Sequence, residues 1–210
     1  MINNRWDRAR KLRGLDDQPI KTEYEYIGRL NVNFTEIHND FKDIDWTNTD
    51  WFAWNWRVKQ ERDEGIFPTT DSTRYVNKSQ YMYRESPSKY CINYSPFKKI
   101  MDDLGLEMPN DSIYSPVKIN KQLPGDMLWM HYDFTADDDW ERYFVFLNDW
   151  GLGQVVLWGE DAITNWKSGD CYKITGTVTP HGAVNCGPTE RWLANVRGKP
   201  KANRVLSLAK

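Results

Sequence analysis

Between residues 112 and 198 the chain breaks into short apolar runs, none with helical spacing, separated by turns that contain Gly or Asp. Eight such runs fit this stretch: 113–122, 127–134, 142–147, 154–158, 164–167, 171–175, 181–185 and 191–196. Short strands punctuated by turns signal a β-sandwich or barrel, and eight of them in two Greek keys make a jelly roll. The expected class is therefore mainly β. That fold brings side chains from strands far apart in sequence close together, which bears on where the histidines lie.

The chain has three histidines, and two of them stand in a pattern suited to a metal: His131-Tyr132-Asp133, with His181 fifty positions later. Two neutral imidazoles and one carboxylate form a facial triad that holds Fe(II) and leaves coordination positions open. In an extended strand, residues i and i+2 point the same way, so His131 and Asp133 can converge on one ion. By the same parity Trp129 faces the side of His131. The third histidine, His38, lies in a short helical pattern at 34–41 and reads as a surface residue.

Arg191 follows His181 by ten residues. The runs 181–185 and 191–196, joined by the Gly-Pro-containing segment 186–190, read as a hairpin. Pairing Asn185 with Arg191 would put His181, Asn185 and Arg191 on one face, with His181 and Arg191 four strand positions apart, roughly 13 Å at about 3.3 Å per residue. A five-carbon dicarboxylate held at one end by a metal and at the other by an extended arginine spans about that length. The planar guanidinium fork grips a carboxylate through two parallel charge-assisted bonds. The spacing fits a 2-oxoglutarate site. Asn120 and Gln122 share one face of a neighbouring strand, and the sequence leaves open which face that is.

Taken in order, His131-x-Asp133, Trp166-Lys167-Ser168-Gly169-Asp170, Pro180-His181-Gly182-Ala183-Val184-Asn185-x-Gly187 and Arg191 resemble the Fe(II)/2-oxoglutarate-dependent oxygenases. Within them the pattern is most similar to the aspartyl/asparaginyl β-hydroxylase-like and proline-hydroxylase-like branch. Members of the β-hydroxylase branch can lack the metal-binding acid, whereas this chain has Asp133. The resemblance covers roughly residues 112–198 and implies a double-stranded β-helix, the cupin-type jelly roll, with an N-terminal α/β extension and flanking helices. It implies Fe(II) held by His131, Asp133 and His181, which are then the catalytic centre. It implies 2-oxoglutarate held by Arg191 at its distal carboxylate and by Arg142 near its metal-bound end. The implied reaction consumes O2, yields succinate and CO2, and hydroxylates an amino acid or an amino-acid side chain, in a small-molecule or peptide substrate. Read from the sequence alone, Arg142 equally suits an ordinary ion pair with Asp137, Asp138 or Asp139.

The expected organisation is one domain over 1–210. Residues 1–111 form an N-terminal region to which the resemblance gives the substrate side and lid, 112–198 form the jelly-roll core, and 199–210 a basic surface tail. Helices are expected at 34–41 and at 94–104, the latter with Ser95 as N-cap, Pro96 in the first turn and Gly105 as its stop. Trp46, Trp51, Trp54 and Trp56 are conspicuous. Stacking on single-stranded nucleic acid is one use for such a cluster, but Glu61, Asp63 and Glu64 cancel the nearby positive charge. Packing, as a wall of the substrate pocket, is the favoured reading.

At 210 residues with a formal net charge of −2 and acids and bases interspersed, the chain shows no electrostatic footprint for nucleic acid or a membrane surface. No apolar run approaches the roughly 20 residues needed to cross a bilayer, and the N-terminus does not read as a signal peptide. Cys91, Cys171 and Cys186 lack metal-type spacing and suit reduced thiols in a cytoplasm. Two other readings stay open. One is a metal-binding cupin acting without 2-oxoglutarate, in which Arg191 is structural. The other is a non-catalytic jelly-roll binding module, which would hold no stoichiometric iron.

Overall fold

Among the described residues of the computed structural model every strand pairing is antiparallel, and the strands divide between two facing sheets. The structure describes residues 24–50, 81–107, 115–131, 140–174, 179 and 181–209; residues 48–50, 81–83 and 129–131 are described by their backbone alone. Asp133, Asp137–Asp139, Trp51, Trp54 and Trp56, for which roles are expected above, lie outside the described residues.

Among the described residues, eight strands lie between Val117 and Pro200: β5 (Val117–Gln122), β6 (Met127–His131), β7 (Glu141–Phe146), β8 (Gln154–Trp158), β9 (Asp161–Ile163), β10 (Asp170–Ile174), β11 (His181–Asn185) and β12 (Arg191–Pro200). One sheet runs β10-β7-β12-β5 through its middle and the other runs β6-β11-β8-β9. Strands from the two sheets interleave in sequence, as a jelly roll requires. The larger sheet is extended by β1 (Tyr24–Arg29) beside β10 and by β3 (Tyr81–Glu85) and β2 (Thr47–Asp50) beyond β5; β4 (Leu106–Glu107) pairs with the far end of β12.

The expected hairpin between 181–185 and 191–196 does not form. β11 pairs with β6 and β8, while β12 pairs with β5 and β7. Both strands are central and both edges of each are occupied, so the segment between them crosses from one sheet to the other. A local Gly-Pro turn signal marks the reversal but cannot tell a hairpin from a sheet-to-sheet crossing.

Alternation along β12 divides two cores. Trp192, Ala194 and Val196 point outward into a cluster with Phe97, Ile100, Leu104 and Ile37, under α1 (Phe34–Phe41) and α3 (Ser95–Asp103); α2 (Ser88–Cys91) adds Cys91. Leu193 points inward with Phe144, Phe146, Trp158 and Trp166, between the sheets. Fully burying one such side chain contributes about 1.5–3 kcal/mol. α1 begins where Asn33 accepts from the Glu36 backbone N–H at 3.2 Å, a side-chain cap that satisfies an orphan donor. α3 is capped one residue earlier than expected: Tyr94, not Ser95, is the N-cap, and Ser95 and Pro96 occupy the first turn.

His38 is half-buried rather than on the open surface, its ring 5.3 Å from that of Trp192 and 5.5 Å from that of Phe34. Trp46 packs edge-on against Trp192 at 5.2 Å, with the Lys121 ammonium 4.4 Å above it, so packing is its observed use. The chain end is largely exposed yet tied down. The backbone N–H groups of Lys201, Ser207 and Ala209 donate to the carbonyls of Gly105, Asp103 and Arg29, and Arg204 bonds Glu141 and the Tyr143 hydroxyl. Cys91, Cys171 and Cys186 are free thiols; burial pushes Cys171 up to about 12, which makes it unreactive. Among the described residues no helix is long and apolar enough to cross a membrane.

Candidate functional site

A cavity of about 150 Å³ opens between the sheets, walled by β3, β5, β7 and β12 on one side and β6, β8 and β11 on the other. Clefts that enclose drug-sized ligands start near 300 Å³, so this space suits a small metabolite. Inward-facing positions of β12 line it in sequence: Arg191, Leu193, Asn195 and Arg197. Opposite Arg191 stands Gln122, and opposite Leu193 stands Asn120; both line the cavity, so the face left open by the sequence is the inner one.

Arg191 is 3% exposed. Its Nε and Nη1 have no hydrogen-bond partner among the described residues. Burial pushes its pKa down to about 9, with no counter-charge among the described residues, so the guanidinium is still charged at neutral pH. An isolated buried charge costs several kcal/mol in lost hydration. Such a placement calls for an anion. Next to it the wall is apolar at Leu193, Phe144, Leu128, Val156 and Ala183, and further along β12 it is polar at Asn195 and at Arg197, whose register partner is Arg142; Glu85 and His181 complete the lining.

His181 opens β11 and is 4% exposed. Its ring stacks on that of Trp158 at 4.1 Å and 19°, and Trp158 is its cross-strand partner. Nδ1 lies 3.0 Å from the Thr179 carbonyl. A carbonyl only accepts, so the Nδ1–H donates, and in the neutral form of the ring that leaves the lone pair on Nε2. A backbone carbonyl on one ring nitrogen is the usual arrangement behind a metal-ligating histidine. On the other side, His131 pairs with His181 across β6 and β11. The two histidines, fifty residues apart, thus occupy opposed positions of one ladder, although His131 is described by its backbone alone. Among the described residues no three His, Cys, Asp or Glu side chains are grouped for a metal; Asp133 and the His131 side chain are not among them.

His181 and Arg191 share the cavity through a different connection from the hairpin expected. The Asn185 amide donates to the Gln122 carbonyl at 3.1 Å and to the Thr189 carbonyl at 2.8 Å, while its oxygen accepts from Gly187 N–H at 3.2 Å. These bonds pin the end of β11 to the sheet at the level of Arg191, because Gln122 is the register partner of Arg191. His181 lies four residues back along β11, roughly 13 Å at about 3.3 Å per residue.

The crossing depends on close backbone contact. A Cβ on Gly187 would lie 2.0 Å from the Leu152 carbonyl oxygen, and one on Gly153 (φ +90°) would lie 2.7 Å from the Gly187 nitrogen. Gly187→Ala is expected to destabilise the protein by about 3 kcal/mol, the upper end for overpacking, because the obstacle is backbone and cannot rotate away. Thermal denaturation checks this; an unchanged melting temperature would show that the two loops do not meet as described.

Arg142 donates from Nε to Asn195 Oδ1 at 3.2 Å and lies 5.0 Å over the Phe144 ring, on the cavity wall. Asn195, Arg197 and Glu85 were not singled out from the sequence. Carrying the alternation Arg-Trp-Leu-Ala-Asn-Val-Arg two steps past Leu193 identifies the first two, whereas nothing local marks Glu85.

Neither a family model nor a curated protein sequence matches this chain. Solved structures are similar at low identity. The non-heme alpha ketoglutarate dependent epimerase SnoN from nogalamycin biosynthesis is 9% identical over 80% of this chain and 82% of its own, with a TM-score of 0.45. A predicted oxalate decarboxylase from Thermotoga maritima is 16% identical over 56% of this chain and 80% of its own, TM-score 0.34. A cupin domain from Bordetella pertussis is 16% identical over 45% of this chain and 88% of its own, TM-score 0.33. These values do not bear on the chemistry of the cavity, which rests on its own residues.

Proposed function

We propose that the chain is a non-haem Fe(II)- and 2-oxoglutarate-dependent dioxygenase, a hydroxylase of an amino acid or an amino-acid side chain. The observation that carries this reading is the buried guanidinium of Arg191, without a partner for Nε and Nη1 among the described residues, in the same cavity as His181. Arg191 would take the distal carboxylate of 2-oxoglutarate in a two-pronged charge-assisted contact. Leu193, Phe144, Leu128, Val156 and Ala183 would cover its methylenes and keep water away. His131, His181 and Asp133 would hold the iron, and Arg142 the metal-bound end of the co-substrate.

The donor set fits. The Thr179 carbonyl fixes His181 in the tautomer a metal needs, and the charge on Arg191 matches a dianion. When bound, Fe(II) and 2-oxoglutarate supply oxidation of a C–H bond by O2, with succinate and CO2 as co-products; the protein contributes position and a dry wall. We assign residues 1–111 to the substrate side, with Glu85 the described residue that reaches the cavity, and the free thiols suit a cytoplasmic setting. The test is anaerobic addition of Fe(II) and then 2-oxoglutarate, which should produce a visible charge-transfer band, followed by succinate release in air. A band without succinate points away from turnover. No band at saturating ligand defeats the reading, and stoichiometric iron without 2-oxoglutarate binding favours a cupin of other chemistry.

A further inference from the structure

The stretch of β12 that carries Arg191 is held on one edge by a side chain. The register pairs of β7 with β12 run as far as Phe146 and Leu193, and the Leu147 N–H still donates to the Trp192 carbonyl at 3.0 Å. There the Asn148 amide takes over. Its Nδ2 donates to the Glu190 carbonyl at 2.9 Å, and its Oδ1 accepts from the Trp192 N–H at 2.8 Å. Glu190 and Trp192 are the two chain neighbours of Arg191. One amide thus bridges the backbone on both sides of the buried guanidinium, where a further residue of β7 would otherwise pair. Its orientation is fixed by chemistry, since a carbonyl accepts and an N–H donates. On the opposite edge Arg191 pairs with Gln122 of β5.

The turn that carries Asn148 is held in its own right by the motif Trp166-Lys167-Ser168-Gly169-Asp170. The Gly169 N–H donates to the Phe146 carbonyl at 2.7 Å, and the Ser168 hydroxyl donates to the Leu147 carbonyl at 2.6 Å. Beyond Asn148, the Ser168 N–H donates to the Asp149 carboxylate at 2.9 Å, and the Trp150 N–H donates to the Trp166 carbonyl at 3.0 Å. Residues on both sides of Asn148 are therefore fixed, and its short side chain has little freedom left to lose. A two-pronged contact with a carboxylate needs such support. Hydrogen bonds weaken steeply off line, and a binding group must be held to within about 0.5 Å by what stands behind it.

We propose that Asn148 is the positioning residue for Arg191: it fixes the backbone from which the guanidinium reaches the distal carboxylate, and so sets the preference for a dicarboxylate. This rests on the reading of Arg191 as the 2-oxoglutarate anchor. Asn148 acts through Arg191, and the motif 166–170 acts through Asn148.

The test compares 2-oxoglutarate with 2-oxopentanoate, which has the same carbon chain and no distal carboxylate, by calorimetry on the full Mn(II)-loaded chain. Asn148→Ala should weaken 2-oxoglutarate about ten-fold, the size expected for one hydrogen bond to a charged group. It should leave 2-oxopentanoate within about two-fold, whereas a general loosening would weaken both. A second readout needs no ligand. The Arg191 Nε–H, identified in proton–nitrogen correlation spectra by its loss in Arg191→Met, should exchange with water faster in Asn148→Ala. Its acceleration should exceed that of the Ala194 amide on the same strand by at least about ten-fold, the mark of a local opening. If Asn148→Ala does not fold, Asn148→Ser makes the same comparisons. Equal losses for the two oxo acids, an unchanged 2-oxoglutarate affinity, or equal acceleration at Arg191 and Ala194 overturns the proposal. An unaltered protein that does not distinguish the two oxo acids defeats the dioxygenase reading instead, and the exchange comparison still shows whether Asn148 holds Arg191.

Discussion

Replacing Arg191 with Met is expected to stabilise the ligand-free protein and to abolish 2-oxoglutarate binding in the same step. The two effects have one cause. The guanidinium is buried, and among the described residues nothing bonds its Nε or Nη1, so the folded state carries an uncompensated desolvation cost. Met has comparable length, no charge, and adapts to irregular apolar space. Replacing buried ionic groups by apolar ones of similar volume has stabilised other proteins by about 1–4 kcal/mol, and for a chain of this size each kcal/mol moves the melting temperature by about 2–4 °C. Binding moves the other way. Two hydrogen bonds to a charged carboxylate contribute about 1.5–3 kcal/mol each, and about 1.4 kcal/mol is a factor of ten, so affinity should fall by at least about 100-fold. Scanning calorimetry with and without 2-oxoglutarate reads both. The unaltered protein should gain about 2.7 kcal/mol at a hundred times Kd and Arg191→Met nothing. A destabilised, ligand-responsive Arg191→Met protein would make Arg191 a structural residue and remove the basis for 2-oxoglutarate.

Local chemistry made most of the strands legible. The alternation at 191–196 and the turns around 148–153 and 159–160 place β7, β8 and β12 within a residue or two of where they begin. The 34–41 helix is legible for the same reason, since Phe34, Ile37 and Phe41 recur at helical spacing behind an Asn cap. The strand expected at 164–167 is a correction: the strand is Asp161–Ile163, and Asn165 adopts φ +58°, a left-handed conformation that ends an extended run. Trp166 enters the core from that turn and stacks on Phe146 at 4.0 Å. Pairing between distant segments was not legible, because no local signal says that β11 seeks β6 and β8 while β12 seeks β5 and β7. His181 and Arg191 could be chosen by residue type and spacing, yet what unites them is the amide of Asn185 bridging the sheets, a contact visible only in three dimensions. Glu85 illustrates the limit. It reaches the cavity through the pairing of β3 with β5, from a part of the chain with no motif.

His181→Ala is expected to lower affinity for a divalent metal by more than about 100-fold, because removing an outer-shell partner alone costs 10–100-fold and this change removes the donor itself. The imidazole is held before any metal arrives. The Nδ1–H donates to the Thr179 carbonyl and the Trp158 ring covers one face. The ring is therefore pre-oriented, and little rotamer freedom is left to lose on ligation. Differential scanning with Mn(II) or Co(II), oxygen-stable stand-ins for Fe(II), should raise the melting temperature of the unaltered protein and leave that of His181→Ala unmoved. The increment with metal is the quantity to compare, since truncating a buried ring lowers the baseline on its own account. Trp158→Phe, which keeps an aromatic face, should retain most of the increment, and Trp158→Leu should weaken metal binding by about ten-fold, in the range of an outer-shell loss. An increment that survives His181→Ala would place the metal elsewhere. The opposed positions of His131 and His181 across β6 and β11 would then be only a feature of strand pairing, and the dioxygenase reading would lose its centre.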